Sequence, residues 1–425
     1  MEATKLHVVA QKMDVMEGPS ANKKVMLISP NFGGGGAERS ISKLSIQLTE
    51  KNYEVHFVVF NVFPGREQVY PIKGTLHVLD VPAGKSFVDK GFRLLDRIVE
   101  TRKLKKKLGI DVSISFLEGA DYVNILSKQK EKVVVSIRGS KESDEEISGL
   151  IGWVRKKILM PILYRKADHI VCVSQGIKYE MEQIFSLDSG KTQVIYNSYD
   201  VDSIRILGNE SLPDYAEKLF TNSCIITSGR LHPQKNHVGL IHSFAQLKKF
   251  ENDCKLVILG TGELKSQLKD ICMTLGLSVS DLTADELNTS ADVVFLGYQK
   301  NPWMFIKRAT LFVLSSSWEG FPNALAEAMC LGLAVISTNC PHGPAEILSD
   351  GLLDGKAGKT ATITKYGALV PLLVDQDAYK TCAEVMGKFL SEDELRKSVG
   401  AAAVDRIRDF SQEVVVGEWQ NVIEK

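Results

Sequence analysis

The sequence predicts an α/β protein built from two doubly wound parallel-sheet domains, and three observations predict it. The chain has 425 residues, more than a single hydrophobic core usually serves. Short runs rich in Val and Ile recur along it, apolar throughout rather than alternating, as strands buried on both faces are. The segments between them carry helical periodicity, and this alternation occurs in two blocks separated by a polar stretch.

The first block supplies KVMLISP (24–30), EVHFVVFN (54–61), VSISFL (112–117), VVVSIR (133–138), HIVCVS (169–174) and QVIYN (193–197). The second supplies IITSGR (225–230), KLVILG (255–260), VVFLGY (293–298), LFVLSS (311–316) and AVIST (334–338). Between them, AERSISKLSIQLTEK and LIHSFAQLKKF read as helices with one apolar face. Residues 198–223 contain Gly208 and Pro213 and no strand-like run, which marks the linker. The expected organisation is an N-terminal extension (1–22), a first domain (23–200), a linker (201–222), a second domain (223–407) and a C-terminal helix (408–425) that packs back on the first domain.

Composition narrows the function classes. A hydrophobic fraction of 44% and a charged fraction of 24% suit a soluble globular protein. The 52 basic and 52 acidic residues cancel, which argues against a broadly cationic nucleic-acid binder. The seven cysteines are scattered, with no CxxC pair, and most sit in apolar runs. They read as reduced core residues of a cytoplasmic protein. No apolar run reaches the roughly 18 residues of a membrane span. The N-terminus has no basic start followed by an apolar run, so it does not read as a secretory signal.

In an open parallel sheet, ligands sit outside the carboxyl ends of the strands. The residues with chemistry to offer fall there repeatedly: the glycine run Gly33–Gly36, then Arg138, Arg230 with Lys235, Tyr298, and Glu319. Two such edges facing each other would form a cleft. In NFGGGGAERS, glycines allow close backbone approach, and free N–H groups at a helix start favour an anion. The pattern is not GxGxxG, and a flexible strand–helix turn is the plain alternative. In SGRLHPQKNH, Arg230 and Lys235 suit a diphosphate; ordinary surface ion pairing is the alternative.

The stretch SSSWEGFPNALAEAMCLG, Ser315 to Gly332, holds two glutamates, Glu319 and Glu327, around a helix start. Pro322 fits the first turn and Gly332 the end. Ala324, Leu325, Ala328 and Met329 give an apolar face. The N–H groups near Asn323–Leu325 have no partner within the helix and suit a phosphate. Carboxylates repel phosphate but accept from hydroxyls. A ligand with hydroxyls at both ends and phosphates between is a nucleotide-sugar. Two solvated glutamates are the alternative.

This stretch resembles the E-x7-E signature of retaining glycosyltransferases of family four, which have the GT-B architecture of two Rossmann-like domains facing a cleft. The likeness extends in family order through GGGGAERS, VCVSQGIK, VIYNSYDVD, SGRLHPQKN, VILGTGEL, VVFLGYQKNPWMFIKRATLFVLSS and AVISTNCPHGPAEIL, over most of 23–425. The resemblance implies that Glu327 binds the donor ribose, Glu319 the transferred sugar, and Arg230 and Lys235 the diphosphate. Main-chain N–H groups around Gly320, Phe321, Asn323, Ala324 and Leu325 would help. Tyr298 would lie near the base, and Gly34 and Gly35 would approach the diphosphate from the other domain. Family members retain anomeric configuration and need no metal or other cofactor. The donor's own phosphate is thought to take the acceptor proton, so protein groups act chiefly on the leaving diphosphate.

Two features depart from the family pattern. Many relatives have His where this chain has Arg138, and Arg, always charged, is no proton carrier at neutral pH. Arg138 is left as a candidate catalytic residue that pairs with an acceptor phosphate or carboxylate. The stretch 355–367 is longer than in relatives. Separately, the segments 101–109 and 152–166 are basic, the second with Trp, Ile, Leu and Met interspersed. They suit an anionic membrane surface, or else are core helices with a solvated basic face. The expected function is transfer of a sugar from a nucleoside-diphosphate sugar, a UDP-hexose or UDP-N-acetylhexosamine, to a saccharide or lipid-linked saccharide, with no metal and no nucleic acid. The rival readings are a GT-B nucleotide-sugar epimerase and a non-catalytic nucleotide-sugar binding protein.

Overall fold

A computed structural model describes residues 23–31, 33–62, 70–82, 84–142, 149–282, 288–349 and 360–425. The N-terminal extension and residues 355–359 of the 355–367 stretch therefore lie outside the described residues. Among the described residues, seven strands form the first sheet: β1 (Lys24–Ser29), β2 (Glu54–Val59), β3 (Thr75–Val78), β4 (Val112–Phe116), β5 (Lys132–Ile137), β6 (His169–Cys172) and β7 (Thr192–Val194). Their order is β3-β2-β1-β4-β5-β6-β7, all parallel. The second sheet comprises β8 (Ser223–Ser228), β9 (Cys254–Leu259), β10 (Val279–Asp281), β11 (Val293–Gly297), β12 (Leu311–Leu314), β13 (Ala334–Thr338), β14 (Thr362–Ile363) and β15 (Ala368–Val370). Its order is β10-β11-β9-β8-β12-β13-β15-β14, parallel except for the β14–β15 pair. The architecture is the expected one: two doubly wound α/β domains.

The unbroken apolar runs have the cause assigned to them. Val25, Met26, Leu27 and Ile28 of β1 all have 0% exposure. Val25 and Leu27 face the Gly36–Glu50 helix, while Met26 and Ile28 face the layer that includes Leu94 and Ile98 of the Phe87–Leu108 helix. A strand covered on both sides has no polar face to show.

The polar stretch after β7 is helical rather than extended loop. The Val201–Gly208 helix packs on the second domain, where Arg205 Nε donates to Cys330 O at 2.9 Å. The chain crosses back at its far end: Tyr199 N donates to Phe410 O at 2.9 Å, and the Gln412–Glu424 helix then lies on the first domain. There Val415, Trp419 and Val422 join the core beside the Gly36–Glu50 helix. The domains thus touch through two crossings, and the carboxyl ends of their sheets face each other across the seam.

Candidate active site

The loop after β8 is built to present cations. His232 caps a short turn, Pro233–Lys235, and Asn236, in the left-handed region at φ 44°, caps the helix that follows. Ser315 Oγ donates to Lys235 O at 2.8 Å, and Gln234 Nε2 donates to Trp318 O at 2.9 Å, so this loop is stitched to the end of β12. Lys235 Nζ then reaches Glu319 Oε1 at 2.5 Å, and Ser316 Oγ donates to the same oxygen at 2.7 Å. Arg230 projects exposed from the loop. It faces Glu38 of the first domain: burial raises the Glu38 pKa, and the Arg230 charge partly offsets that.

Glu327 lies one turn inside the Asn323–Cys330 helix, 4% exposed. Its two oxygens have different partners. Trp303 Nε1 donates to Oε2 at 2.9 Å. Arg39 Nη1 reaches Oε1 at 2.5 Å from the other domain. The Arg39 guanidinium also stacks over the Trp303 ring, 5.2 Å from its centroid. Burial opposes the Arg39 charge, but the Glu327 carboxylate outweighs it and the guanidinium pKa is raised. Each carboxylate oxygen has two lone pairs, so one on each remains for a ligand hydroxyl.

Between the two glutamates the chain runs close against the first domain. A Cβ at Gly320 would stand 2.3 Å from Arg138 O, so only glycine fits. Phe321 is 5% exposed, its ring packed against Tyr196 and Phe410 at 5.0 and 5.2 Å. Its side chain therefore belongs to the seam, and only its main chain is available to a ligand. The first helical hydrogen bond, Ala326 N to Pro322 O, leaves the N–H groups of Asn323, Ala324 and Leu325 outside the intrahelical ladder. Their positive end points into the cleft, toward the Gly34–Gly35 turn: Gly36, at the start of its helix, lies against Asn323 Nδ2. Tyr70 OH donates to Gly34 O at 3.0 Å and closes that turn from outside. Tyr298 follows β11 and is 68% exposed at the cleft rim.

Arg138 sits at the carboxyl end of β5, but its guanidinium is turned along the seam. It bonds Asn197 Oδ1 and Ser136 Oγ and lies 5.2 Å over the Phe116 ring. Burial pulls its pKa down to about 10, so it remains charged at neutral pH. The sequence-predicted residues are thus gathered at one cleft, with Glu319, Arg230, Lys235, Glu327 and the 320–325 segment on one wall and Gly34, Gly35 and Arg138 on the other.

Three site residues were not singled out by the sequence. Arg39 follows the glycine run by one helical turn, Trp303 lies between β11 and β12, and Asn197 sits within the motif VIYNSYD without an assigned role. Further along the seam, Glu346 of the second domain accepts from Gln175 N at 2.7 Å and Gly176 N at 2.9 Å, capping a helix of the first. His342 Nε2 contacts Glu180 at 3.1 Å beside it. The closed seam leaves a cavity of about 20 Å³ among Arg39, Lys43, Arg138, Asn197 and Trp419, room for about one water.

Comparison with known proteins settles the family. Residues 34–203 match the family model described as Glycosyltransferase Family 4, and residues 217–406 match that described as Glycosyl transferases group 1. An uncharacterized glycosyltransferase of Methanocaldococcus jannaschii is 31% identical across 78% of this chain and 84% of its own length. The chain belongs to glycosyltransferase family 4. This family 4 enzyme is also 28% identical to a Campylobacter jejuni protein named N-acetylgalactosamine-N,N'-diacetylbacillosaminyl-diphospho-undecaprenol 4-alpha-N-acetylgalactosaminyltransferase, over 92% of this chain and 96% of that one. Among solved structures, the Anabaena protein HepE in complex with UDP superposes with a TM-score of 0.69 at 16% identity, covering 95% of this chain and 99% of that one. A glycosyltransferase from Rickettsia africae gives 0.72 at 14% identity, covering 95% and 98%. These likenesses confirm the GT-B architecture expected for the family 4 glycosyltransferase.

Proposed function

We propose that this glycosyltransferase transfers a hexose or N-acetylhexosamine from a UDP-sugar, with retention and without a metal, to a lipid-linked saccharide at the cytoplasmic face of a membrane. The observation that carries the reading is the paired arrangement of the two glutamates. Both are buried, each is paired with a basic side chain, and the free N–H groups of a helix start lie between them. That layout fits sugar, diphosphate and ribose in order. Glu319 takes hydroxyls of the transferred sugar, Arg230, Lys235 and the helix start take the diphosphate, and Glu327 takes the ribose. The bond from the sugar to phosphate then breaks against fixed positive charge, which stabilises the leaving group without reorganisation. The names of the Campylobacter relative and of the UDP-bound Anabaena structure support acceptor class and donor base.

The lipid surface has support in the first domain. Among the described residues no helix is long and apolar enough to cross a membrane. The Phe87–Leu108 helix, however, turns Val88, Phe92, Leu95 and Val99 outward, between 46% and 66% exposed. Arg102, Lys103 and Lys106 continue the same face. Trp153, Ile158 and Ile162 are likewise exposed beside Lys157. Apolar side chains flanked by cations suit an anionic interface. Two of the basic residues counted for this surface are structural instead: Lys105 is buried against Glu131 at 2.8 Å, and Arg155 pairs with Glu118 at 2.6 Å. Salt-sensitive flotation with anionic vesicles, lost on Phe92→Glu, is the expected behaviour; unchanged flotation would remove this surface.

The direct test is a panel of nucleotide-sugars screened for thermal stabilisation, since a ligand that binds only the folded state raises its apparent stability. The stabilising donor is then incubated with a lipid-linked saccharide in the presence of a chelator. Expected are stabilisation by a UDP-sugar and a product of unchanged anomeric configuration. Inverted product, or activity only with added divalent ion, would contradict the mechanism.

A further inference from the structure

We propose that Asn197 is a positioning residue: it carries the orientation of Arg138 across the seam to the start of the Asn323–Cys330 helix, so that this helix end is aligned for transfer only when the two domains are closed. The inference rests on the glycosyltransferase reading of the cleft and adds a residue to it that contacts neither sugar nor nucleotide.

Asn197 stands three residues beyond β7 and just before the crossing between domains, 7% exposed. A side-chain amide has two donor hydrogens and two acceptor lone pairs, and here four groups on three segments use them. Its Oδ1 accepts from Ser40 Oγ at 2.9 Å, on the helix that follows the glycine run, and from Arg138 Nη2 at the end of β5. Its Nδ2 donates to Asn323 Oδ1 at 2.9 Å and to Phe321 O at 3.3 Å, both in the second domain. Asn323 Oδ1 takes a second hydrogen bond from Tyr199 OH at 2.7 Å. One half of the amide therefore belongs to the first domain and the other half to the second. A buried amide with every site engaged is expensive to turn, so the two halves fix each other.

Arg138 explains why an amide is needed. Among the described residues its guanidinium meets the Asn197 amide, the Ser136 hydroxyl and the Phe116 ring. A buried cation is stabilised by fixed dipoles where it has no anion, and the Asn197 carbonyl is the nearest such dipole. The guanidinium thereby pins the amide so that its NH₂ points at Phe321 O and Asn323. Those two residues bracket Pro322, and the peptide groups from Gly320 to Leu325 are the ones proposed to meet the diphosphate. Arg138 thus acts through Asn197 on the donor side, in place of a contact with acceptor.

The experiment uses the full chain and the donor found by the panel above. Asn197→Ala, Arg138→Met and the double variant are compared for kcat, donor KM and UDP affinity, with small-angle scattering of the ligand-free protein alongside. Asn197→Asp is a second variant that keeps the acceptor half of the side chain and sets a carboxylate against Phe321 O. Asn197→Ala and Asn197→Asp are expected to lower kcat about tenfold, as loss of one aligning contact does. UDP affinity should stay within about twofold, because the proposed diphosphate contacts lie in the second domain. The double variant should be no slower than Asn197→Ala alone, since the two residues act as one unit. Ligand-free Asn197→Ala should have a larger radius of gyration than the parent. Parent-like kcat in both Asn197 variants, or losses that multiply in the double variant, would overturn the proposal. The scattering separates this inference from the functional reading: if no nucleotide-sugar binds the parent, an unchanged radius in Asn197→Ala still refutes the coupling, and an increased one still supports it.

Discussion

Glu319 and Glu327 stand on either side of one helix start, 6% and 4% exposed, yet the loops around them are built from different material. Among the described residues the side-chain partners of Glu319 lie in its own domain: Lys235 from the loop after β8 and Ser316 from the end of β12. The cation on Glu327 comes from the other domain, since Arg39 stands on the helix after the glycine run. Glu319 is therefore oriented whether the cleft is open or shut. Glu327 has its full set of partners only when the domains meet. The sugar end of the proposed site is fixed, and the ribose end reports closure.

The largest effect is expected from Lys235→Ala, which strips the cation from Glu319 and from the proposed leaving group together. The loss should be about 2–4 kcal/mol of barrier, a 30- to 1,000-fold lower kcat, measured beside a melting curve that shows the fold intact. A near-parent rate would take this loop out of the mechanism. Arg39→Ala should behave differently. It removes one charge-assisted contact to Glu327, and the donor KM is expected to rise about tenfold while kcat stays close to the parent value. A lower kcat with unchanged KM would erase the distinction between the two carboxylates.

A third buried carboxylate sharpens the comparison on a smaller scale. Asp121 is held by two hydroxyls, Ser115 Oγ at 2.8 Å and Tyr164 OH at 3.3 Å, and burial pushes its pKa from 3.8 up to about 8. Between those values the folded state holds a proton that the unfolded state has lost, so stability falls as pH rises through the window. Asp121→Asn removes this contribution. Melting temperatures across the same window should fall for the parent relative to the variant as pH rises, and parallel profiles would show that Asp121 ionises normally.

How much of this was legible in the sequence follows from what each residue has beside it. Strands covered on both faces wrote themselves as apolar runs, and each run quoted above coincides with a strand. β3 left no such mark because it is an edge strand with Leu76 and Val78 40% and 45% exposed, and β10 and β14 are too short to carry a pattern. The 198–223 stretch looked like loop because the helices within it are short, the longest burying only Ile204 and Gly208. Arg230, Lys235 and Glu319 were visible because residues just past a buried strand sit at the sheet's functional edge. Arg39 was not, because its partner Glu327 is 288 residues away, and no local pattern encodes a contact that the fold creates between domains. Asn197 lay inside a quoted motif, but its four hydrogen bonds draw on the helix after the glycine run, on β5 and on the second domain.

The central claim is that the two glutamates do different work, and one paired measurement tests it most directly: kcat, donor KM and UDP affinity of Glu319→Ala beside those of Glu327→Ala. In the proposed site Glu319 touches the sugar, whose ring gains positive character as its bond to phosphate breaks, so its contact would strengthen on the way to the transition state. Its loss should lower kcat by roughly 10²-fold and leave UDP affinity near the parent value, because UDP carries no sugar. In the same proposal Glu327 holds the ribose, which does not react, so its contact would be present in ground and transition states alike. Its loss should raise the donor KM and weaken UDP binding while kcat changes little. The account is contradicted if Glu319→Ala loses UDP affinity and keeps its kcat, or if the two variants share one kinetic profile.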